Sequence, residues 1–215
     1  MQNKFPIAAV AAGLCIALTG CSSGTVPATT EKAAEIGKTP DVFRARFETS
    51  KGPVVIEAQR DWAPRGADRF YELVKTGFYN DARFFRVLPR FVVQFGISKD
   101  PKTSELWSQL KIVDDPSKQP NTRGTVTFAK SGPNSRTTQV FINVADNRSL
   151  DASGFAPFAK VVEGMDVVDK FYAGYGEMSP RGNGPDPLKI QVMGNEYLLR
   201  NFPQLDFVKT ASIEK

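Results

Sequence analysis

Histidine is absent from the 215-residue chain, and cysteine occurs only at Cys15 and Cys21. Without histidine there is no Ser-His-Asp or Cys-His pairing of nucleophile and base, and no histidine-ligated zinc. Internal repeats are also missing, which excludes solenoids and propellers. No block of like charge stands out: the 28 Lys and Arg are scattered among 23 acids, so the net charge of +5 comes without a basic patch or a nucleic-acid-binding motif. What the chain does have is apolar mass. Hydrophobic residues make up 41% and there are 16 Phe, enough for a real core and too much for a disordered chain. The length suits one globular domain of about 150–170 residues plus tails.

The first tail reads as an export signal. Lys4 is followed by an almost wholly apolar run from Ile7 to Leu18 that ends in Leu18-Thr19-Gly20-Cys21. A basic start, a short apolar stretch and a small-residue exit describe a secretory signal peptide, and the run stops short of the roughly 20 residues a membrane-spanning helix needs. The Gly20-Cys21 ending resembles the lipobox of bacterial lipoproteins, which implies cleavage before Cys21 and diacylation of its sulfur. Cys15 then leaves with the signal, Cys21 is held by lipid, and loss of Lys4 takes the charge from +5 to +4. A multiply acylated terminus anchors stably to a membrane. Ser22 rather than Asp follows the cysteine, which in a Gram-negative cell resembles the pattern for outer-membrane sorting, facing the periplasm. Residues 1–20 are therefore expected to be signal. Residues 21–40 are small, polar and punctuated by Pro and Gly, and are expected to be a flexible tether with at most a helical turn at Ala33–Ile36.

From Val42 the pattern changes. Phe43, Ala45 and Phe47 alternate with charged residues, as in a half-buried strand, and a Ser-Lys-Gly-Pro turn leads to a second strand over Val54–Ala58. Pro64 opens a helix whose Ala67, Phe70, Leu73 and Val74 share one face, and Gly77 ends it. Strands are expected over Arg83–Leu88, Phe91–Ile97, Thr125–Ala129, Gln139–Val144, Phe158–Val162 and Leu188–Met193. Ser98–Arg123 reads as a long polar loop and Gly164–Phe171 as a second helix. Eight short strands with two helices predict a mainly β fold, a closed eight-stranded antiparallel barrel capped by those helices. It occupies residues 41–193, and residues 194–215 form a C-terminal extension that either packs a short helix on the domain or docks a partner.

Arg86 stands out because it lies in an aromatic and aliphatic strand pair, where an arginine must either reach solvent or meet acceptors. Val92 and Gln94 share a face by the period of two, placing an amide beside an apolar contact. Three ordered motifs then carry a resemblance: F-x-R-x-x-P-x-F-x-x-Q-x-G from Phe84 to Gly96, A-x-x-G-P-N-x-x-x-x-Q-x-F-I from Ala129 to Ile142, and a Leu150–Asp169 segment containing Gly-Phe-Ala-Pro-Phe. Together they resemble the cyclophilin-type peptidyl-prolyl isomerases over nearly the whole span from Val42 to Met193, and the Gly-Phe-Ala-Pro-Phe segment is similar to the bacterial branch.

The resemblance implies a catalytic role for Arg86 and a proline pocket of Phe91, Val92, Phe141, Leu150 and Phe155. It further implies that Gln94 and Gln139 hydrogen-bond substrate and arginine, and that Ala129 and Lys130 form the strand edge that pairs with the substrate backbone. Val92 stands where the family usually has Met, Lys130 where it commonly has Asn, and Phe155 where eukaryotic members often carry His. Ser149 replaces the Trp that binds cyclosporin, which implies weak cyclosporin binding. Phe84, Phe85, Val87 and Val93 belong to the core. Such chemistry needs neither metal nor cofactor. The implied partners are proline-containing, unfolded or partly folded exported polypeptides, together with the membrane through Cys21. No nucleic acid is implied, and a tethered monomer is the simplest state. The alternative is a cyclophilin-fold chaperone or assembly scaffold with little isomerase activity.

Overall fold

The computed structural model describes residues 37–214. The expected signal, Cys21, and the tether up to residue 36, including the turn at Ala33–Ile36, lie outside the described residues. Eight strands follow: β1 (Val42–Thr49), β2 (Gly52–Gln59), β3 (Arg86–Val87), β4 (Val92–Phe95), β5 (Thr125–Phe128), β6 (Val140–Asn143), β7 (Pro157–Glu163) and β8 (Val208–Ile213). They form one antiparallel sheet in the order β3-β4-β6-β5-β7-β2-β1-β8.

The sheet curls through 223° into a half-barrel. The closed barrel expected from the sequence is thus not met by a continuous ladder. The edges β3 and β8 are linked instead just ahead of each strand, by the single bridge Arg83–Phe207 and by backbone bonds from Phe84 to Asp206 (3.0 Å) and from Asp81 to Val208 (2.7 Å). β3 is only two residues long, too short to carry a ladder across.

The concave face is filled with aromatic rings. Phe47 and Phe70 stack at 6.0 Å, Phe70 and Phe158 meet at 5.0 Å, and Phe84 stacks on Phe171 at 4.1 Å. Helix α1 (Pro64–Lys75) closes one opening with Ala67, Phe70, Leu73 and Val74 inward, the face anticipated from their spacing. Phe84, Phe85, Val87 and Val93 are all buried, as expected of core residues.

The number of helices is the main departure from expectation: the described residues hold four rather than two. Within the expected polar loop lies α2 (Pro101–Ser108), started by Asp100, whose carboxylate accepts from the Lys102 and Thr103 N–H groups. The expected helix after Gly164 is a single turn, α3 (Met165–Val168). Leu188–Met193 is not a strand but the first half of α4 (Pro187–Asn201), which is kinked at Gly194. There φ is +59°, and an added Cβ would collide with the Lys99 carbonyl. Ile190 and Leu198 of α4 bury against Phe85, Ile97 and Leu205 in a second, smaller core. The eighth strand comes from Val208–Ile213 and pairs with β1, so the expected C-terminal extension supplies the second half of a packed helix and a sheet strand.

Candidate active site

The period of two separates core from site. Val87, Val93, Phe95, Ile142, Val140 and Val126 point into the core. Their neighbours face the other way, and the register sets Arg86 opposite Gln94, Gln94 opposite Phe141, and Val92 opposite Asn143. Arg86, Gln94, Phe141 and Val92 therefore occupy adjacent positions on the sheet face turned away from the core. Phe141 and Val92 are nonetheless buried, which marks a second apolar surface outside the core.

The β3–β4 turn sets Phe91 beside Arg86. Leu88 and Phe91 close the turn through a 3.0 Å backbone bond, with Pro89 and Arg90 at its centre. Arg90 takes φ +66°, the left-handed region that a type II turn, in which Pro is common at the second position, requires at the third. An L residue adopts it at a cost of about 1–2 kcal/mol. The Arg86 guanidinium carbon then lies 5.5 Å from the centre of the Phe91 ring.

The guanidinium is held on three sides. Nη1 donates to Gln94 Oε1 at 3.1 Å, and Gln94 Nε2 donates to Gln139 Oε1 at 3.1 Å. Nε and Nη2 donate to the two oxygens of Glu177 at 2.7 and 2.6 Å. Of the five guanidinium N–H donors, three are engaged, which leaves one on Nη1 and one on Nη2. Glu177 was not among the residues expected from the sequence. Partial burial works to raise its carboxyl. The Arg86 fork, the Met178 N–H and the charges of Arg86 and Arg181 outweigh that and hold it below the usual glutamate range.

The opposite wall is built on the 3₁₀ turn Arg148–Leu150. The Leu150 carbonyl accepts from the Phe155 N–H at 3.3 Å, and Phe155 meets Phe141 edge-on at 5.8 Å. Lys130 Nζ lies 5.4 Å from the centre of the Phe155 ring and bonds Asp114 at 3.0 Å, so the lysine side chain is folded into the wall. Ser149 is exposed on the turn and brings no ring to the site.

Ala129 and Lys130 extend β5 past its last ladder pair. The Ala129 N–H is used by the Gln139 carbonyl at 2.9 Å. Among the described residues, the Ala129 carbonyl and the Lys130 N–H and carbonyl have no hydrogen-bond partner, so this edge can take an added strand. All nine expected site residues that join Arg86 thus fall on one connected surface: Phe91, Val92, Gln94, Ala129, Lys130, Gln139, Phe141, Leu150 and Phe155.

A buried polar network beneath the surface fixes its two walls relative to each other. Asn147 Nδ2 donates to the Phe91 carbonyl and to Asn143 Oδ1, both at 2.8 Å. Asn143 donates to Asn121 Oδ1 at 3.2 Å, and Asn121 donates to the Phe155 carbonyl and to Asp151, both at 2.8 Å. Fully satisfied networks of this kind are rigid. No local pattern announced it, because its members lie on four different segments.

Comparison with known proteins agrees with this geometry. The profile of the cyclophilin type peptidyl-prolyl cis-trans isomerase/CLD family matches residues 44–193, and the chain belongs to that family. It is 43% identical over 130 residues to a peptidyl-prolyl cis-trans isomerase of Acinetobacter baylyi, covering 58% of this chain and 69% of the relative. To peptidyl-prolyl cis-trans isomerase B of Escherichia coli it is 38% identical over 141 residues, covering 58% of this chain and 80% of that protein. A crystal structure of a Cryptosporidium parvum cyclophilin superposes with a TM-score of 0.58 at 18% identity, covering 81% of this chain and 98% of the other. That last likeness is one of fold.

Proposed function

We propose that the chain catalyses rotation about X–Pro peptide bonds in exported polypeptides while tethered by lipid at Cys21 to the cell envelope. The observation that carries the catalytic part is a guanidinium with two free N–H donors beside an apolar surface of Phe91, Val92, Phe141 and Phe155.

The X–Pro bond turns slowly because twisting it costs amide resonance, a barrier of about 18–20 kcal/mol. No bond breaks, so neither nucleophile, base nor metal is called for. As the amide twists, its nitrogen becomes pyramidal and gains a lone pair. The apolar surface holds the proline ring, and the free strand edge at Ala129 and Lys130 holds the flanking backbone. Arg86 donates to the proline carbonyl and then to the exposed nitrogen. A donor that binds the twisted state better than the planar one lowers the barrier. The test is a proline-peptide isomerisation assay of the chain in detergent. Activity that depends on Arg86 supports the proposal. A folded, inactive chain that still suppresses aggregation of an unfolded client supports the scaffold alternative.

The anchor is supported by the apolar run ending in Gly20-Cys21. Among the described residues, no helix is long and apolar enough to cross a membrane. Cys21→Ser should move the protein from the membrane fraction to the soluble fraction of lysed cells. Retention of the variant in the membrane would point to an uncleaved signal instead. Cyclosporin should bind poorly, because Ser149 offers no ring to pack against it. Tight binding by titration calorimetry would mean that another side chain takes that place.

A further inference from the structure

The segment between α3 and α4 is rich in Gly and Pro, and its fold is organised around Glu177. The Glu177 carbonyl accepts from the Gly184 N–H at 2.8 Å, Met178 bridges Gly184, and the Gly182 N–H donates to the Met178 carbonyl at 3.0 Å. A Cβ on Gly182 would overlap the Glu177 carbonyl, and one on Gly184 would come within 2.7 Å of it. Both glycines therefore allow the chain to wrap the residue closely. Met178 packs on the second core of Phe85 and Ile190, and its N–H donates to Glu177 Oε1 at 2.8 Å. The carboxylate is thus held from the backbone side before it meets Arg86.

This is unlike a surface ion pair, in which two long side chains meet in solvent and contribute little. The Arg86 side chain is 13% exposed and that of Glu177 26% exposed, and the contact is bidentate. We propose that Glu177 is a positioning residue for the isomerase reaction, fixing the plane of the Arg86 fork so that its remaining N–H groups face the bound proline amide. The proposal rests on the reading of Arg86 as the catalytic donor. A neighbouring carboxylate also attenuates the positive charge of the guanidinium. X–Pro rotation creates no net charge, however; it exposes a directional lone pair. Aim therefore counts for more than field, and loss of Glu177 slows the reaction.

The test compares Glu177→Ala, Glu177→Gln and Gly182→Ala with wild type and Arg86→Ala in the same proline-peptide assay on the full chain in detergent, resolving kcat and KM. Gly182→Ala pushes Glu177 from behind and leaves the proline surface untouched. The expected result is a fall of about tenfold in kcat for Glu177→Ala with KM changed less than about twofold, a smaller fall for Gly182→Ala, and partial recovery in Glu177→Gln, whose amide oxygen still accepts one guanidinium N–H. The Arg86 Nε–H proton resonance should be sheltered from solvent exchange in wild type and lost in Glu177→Ala. A kcat at or above wild type in Glu177→Ala overturns the proposal. So does a loss borne equally by kcat and KM that Gln does not relieve. An inactive Arg86→Ala beside an unaltered Glu177→Ala removes only the role of Glu177. An Arg86→Ala as active as wild type removes the catalytic reading, and the positioning role falls with it.

Discussion

Replacing Arg86 by alanine should lower kcat/KM on a proline tetrapeptide by about a thousandfold, roughly 4 kcal/mol of transition-state stabilisation. Two directed N–H groups supply the effect, and removing a single preorganised donor from an active site already costs on the order of a hundredfold. The fold should survive. The β3–β4 pairing is made by backbone, and Phe84 and Phe85 remain buried on either side. The substitution does strand the Glu177 carboxylate, which loses both side-chain donors and keeps the Met178 N–H. Because that carboxylate is partly exposed, it can rehydrate with a small loop shift, and the melting temperature should fall by only about 2–8 °C, equivalent to roughly 1–2 kcal/mol. Circular dichroism melts beside the kinetic assay separate the two effects. A variant that melts normally and isomerises at the wild-type rate would show that the barrier is lowered elsewhere.

Arg86→Lys sharpens the same argument. An ammonium is a point charge with three donors on a flexible stem. It cannot meet Glu177 in bidentate fashion, bond Gln94 and still present a donor to the substrate in a fixed plane. It should retain only a few per cent of the activity, although the charge is conserved. The missing histidine fits here as well: where no proton is transferred, the useful side chain is one that donates in a fixed direction.

The surface residues of this site were legible because they belong to short ordered motifs, and the core because strands write their buried face with a period of two. Phe43, Ala45 and Phe47 did so correctly. The same rule misled at Leu188, Ile190 and Val192, where an alternation fit for a strand sits in a helix with Ile190 inward and Leu188 and Val192 in solvent. The decisive signal there was Asp186-Pro187, a cap followed by proline in the first turn: Asp186 accepts from the Leu188 N–H at 2.9 Å. Helix α2 was missed for a related reason. Its apolar face is weak, with Leu106 exposed, and it is held by the Asp100 cap and by Trp107, which packs edge-on against Phe78 at 5.7 Å. Glu177 gave no signal, because its partner lies 91 residues away. Contacts closed by loops over such distances follow from tertiary packing, which no local pattern encodes.

Asp115 is another such contact, and its loss should be the most damaging to stability among the polar residues. Helix α1 begins at Pro64 without a capping side chain of its own, since Ala63 stands at the N-cap. Asp115 supplies the cap from 50 residues away, accepting from the Arg65 N–H at 3.1 Å and the Gly66 N–H at 2.9 Å. The same carboxylate bonds Arg136 Nη2 at 3.0 Å, with the two side chains 0% and 4% exposed. Arg136 Nε lies 3.1 Å from Asp114 Oδ1 but without the alignment of a hydrogen bond, so Asp115 is the better-made of its two anionic contacts. Asp115→Ala removes a cap and leaves a buried guanidinium poorly compensated. Breaking a buried pair on one side costs about 3–5 kcal/mol, which for a chain of this size lowers the melting temperature by roughly 10 °C. Asp115→Asn, which keeps an acceptor for one helix N–H, should lose about half as much. The damage should also reach the site. Asp114, next in the chain, holds Lys130 against the Phe155 ring, so a loosened loop frees one wall of the proline surface and raises KM before the protein unfolds. A melting curve within about 2 °C of wild type would mean that Asp114 alone neutralises Arg136 and that α1 starts without need of a cap.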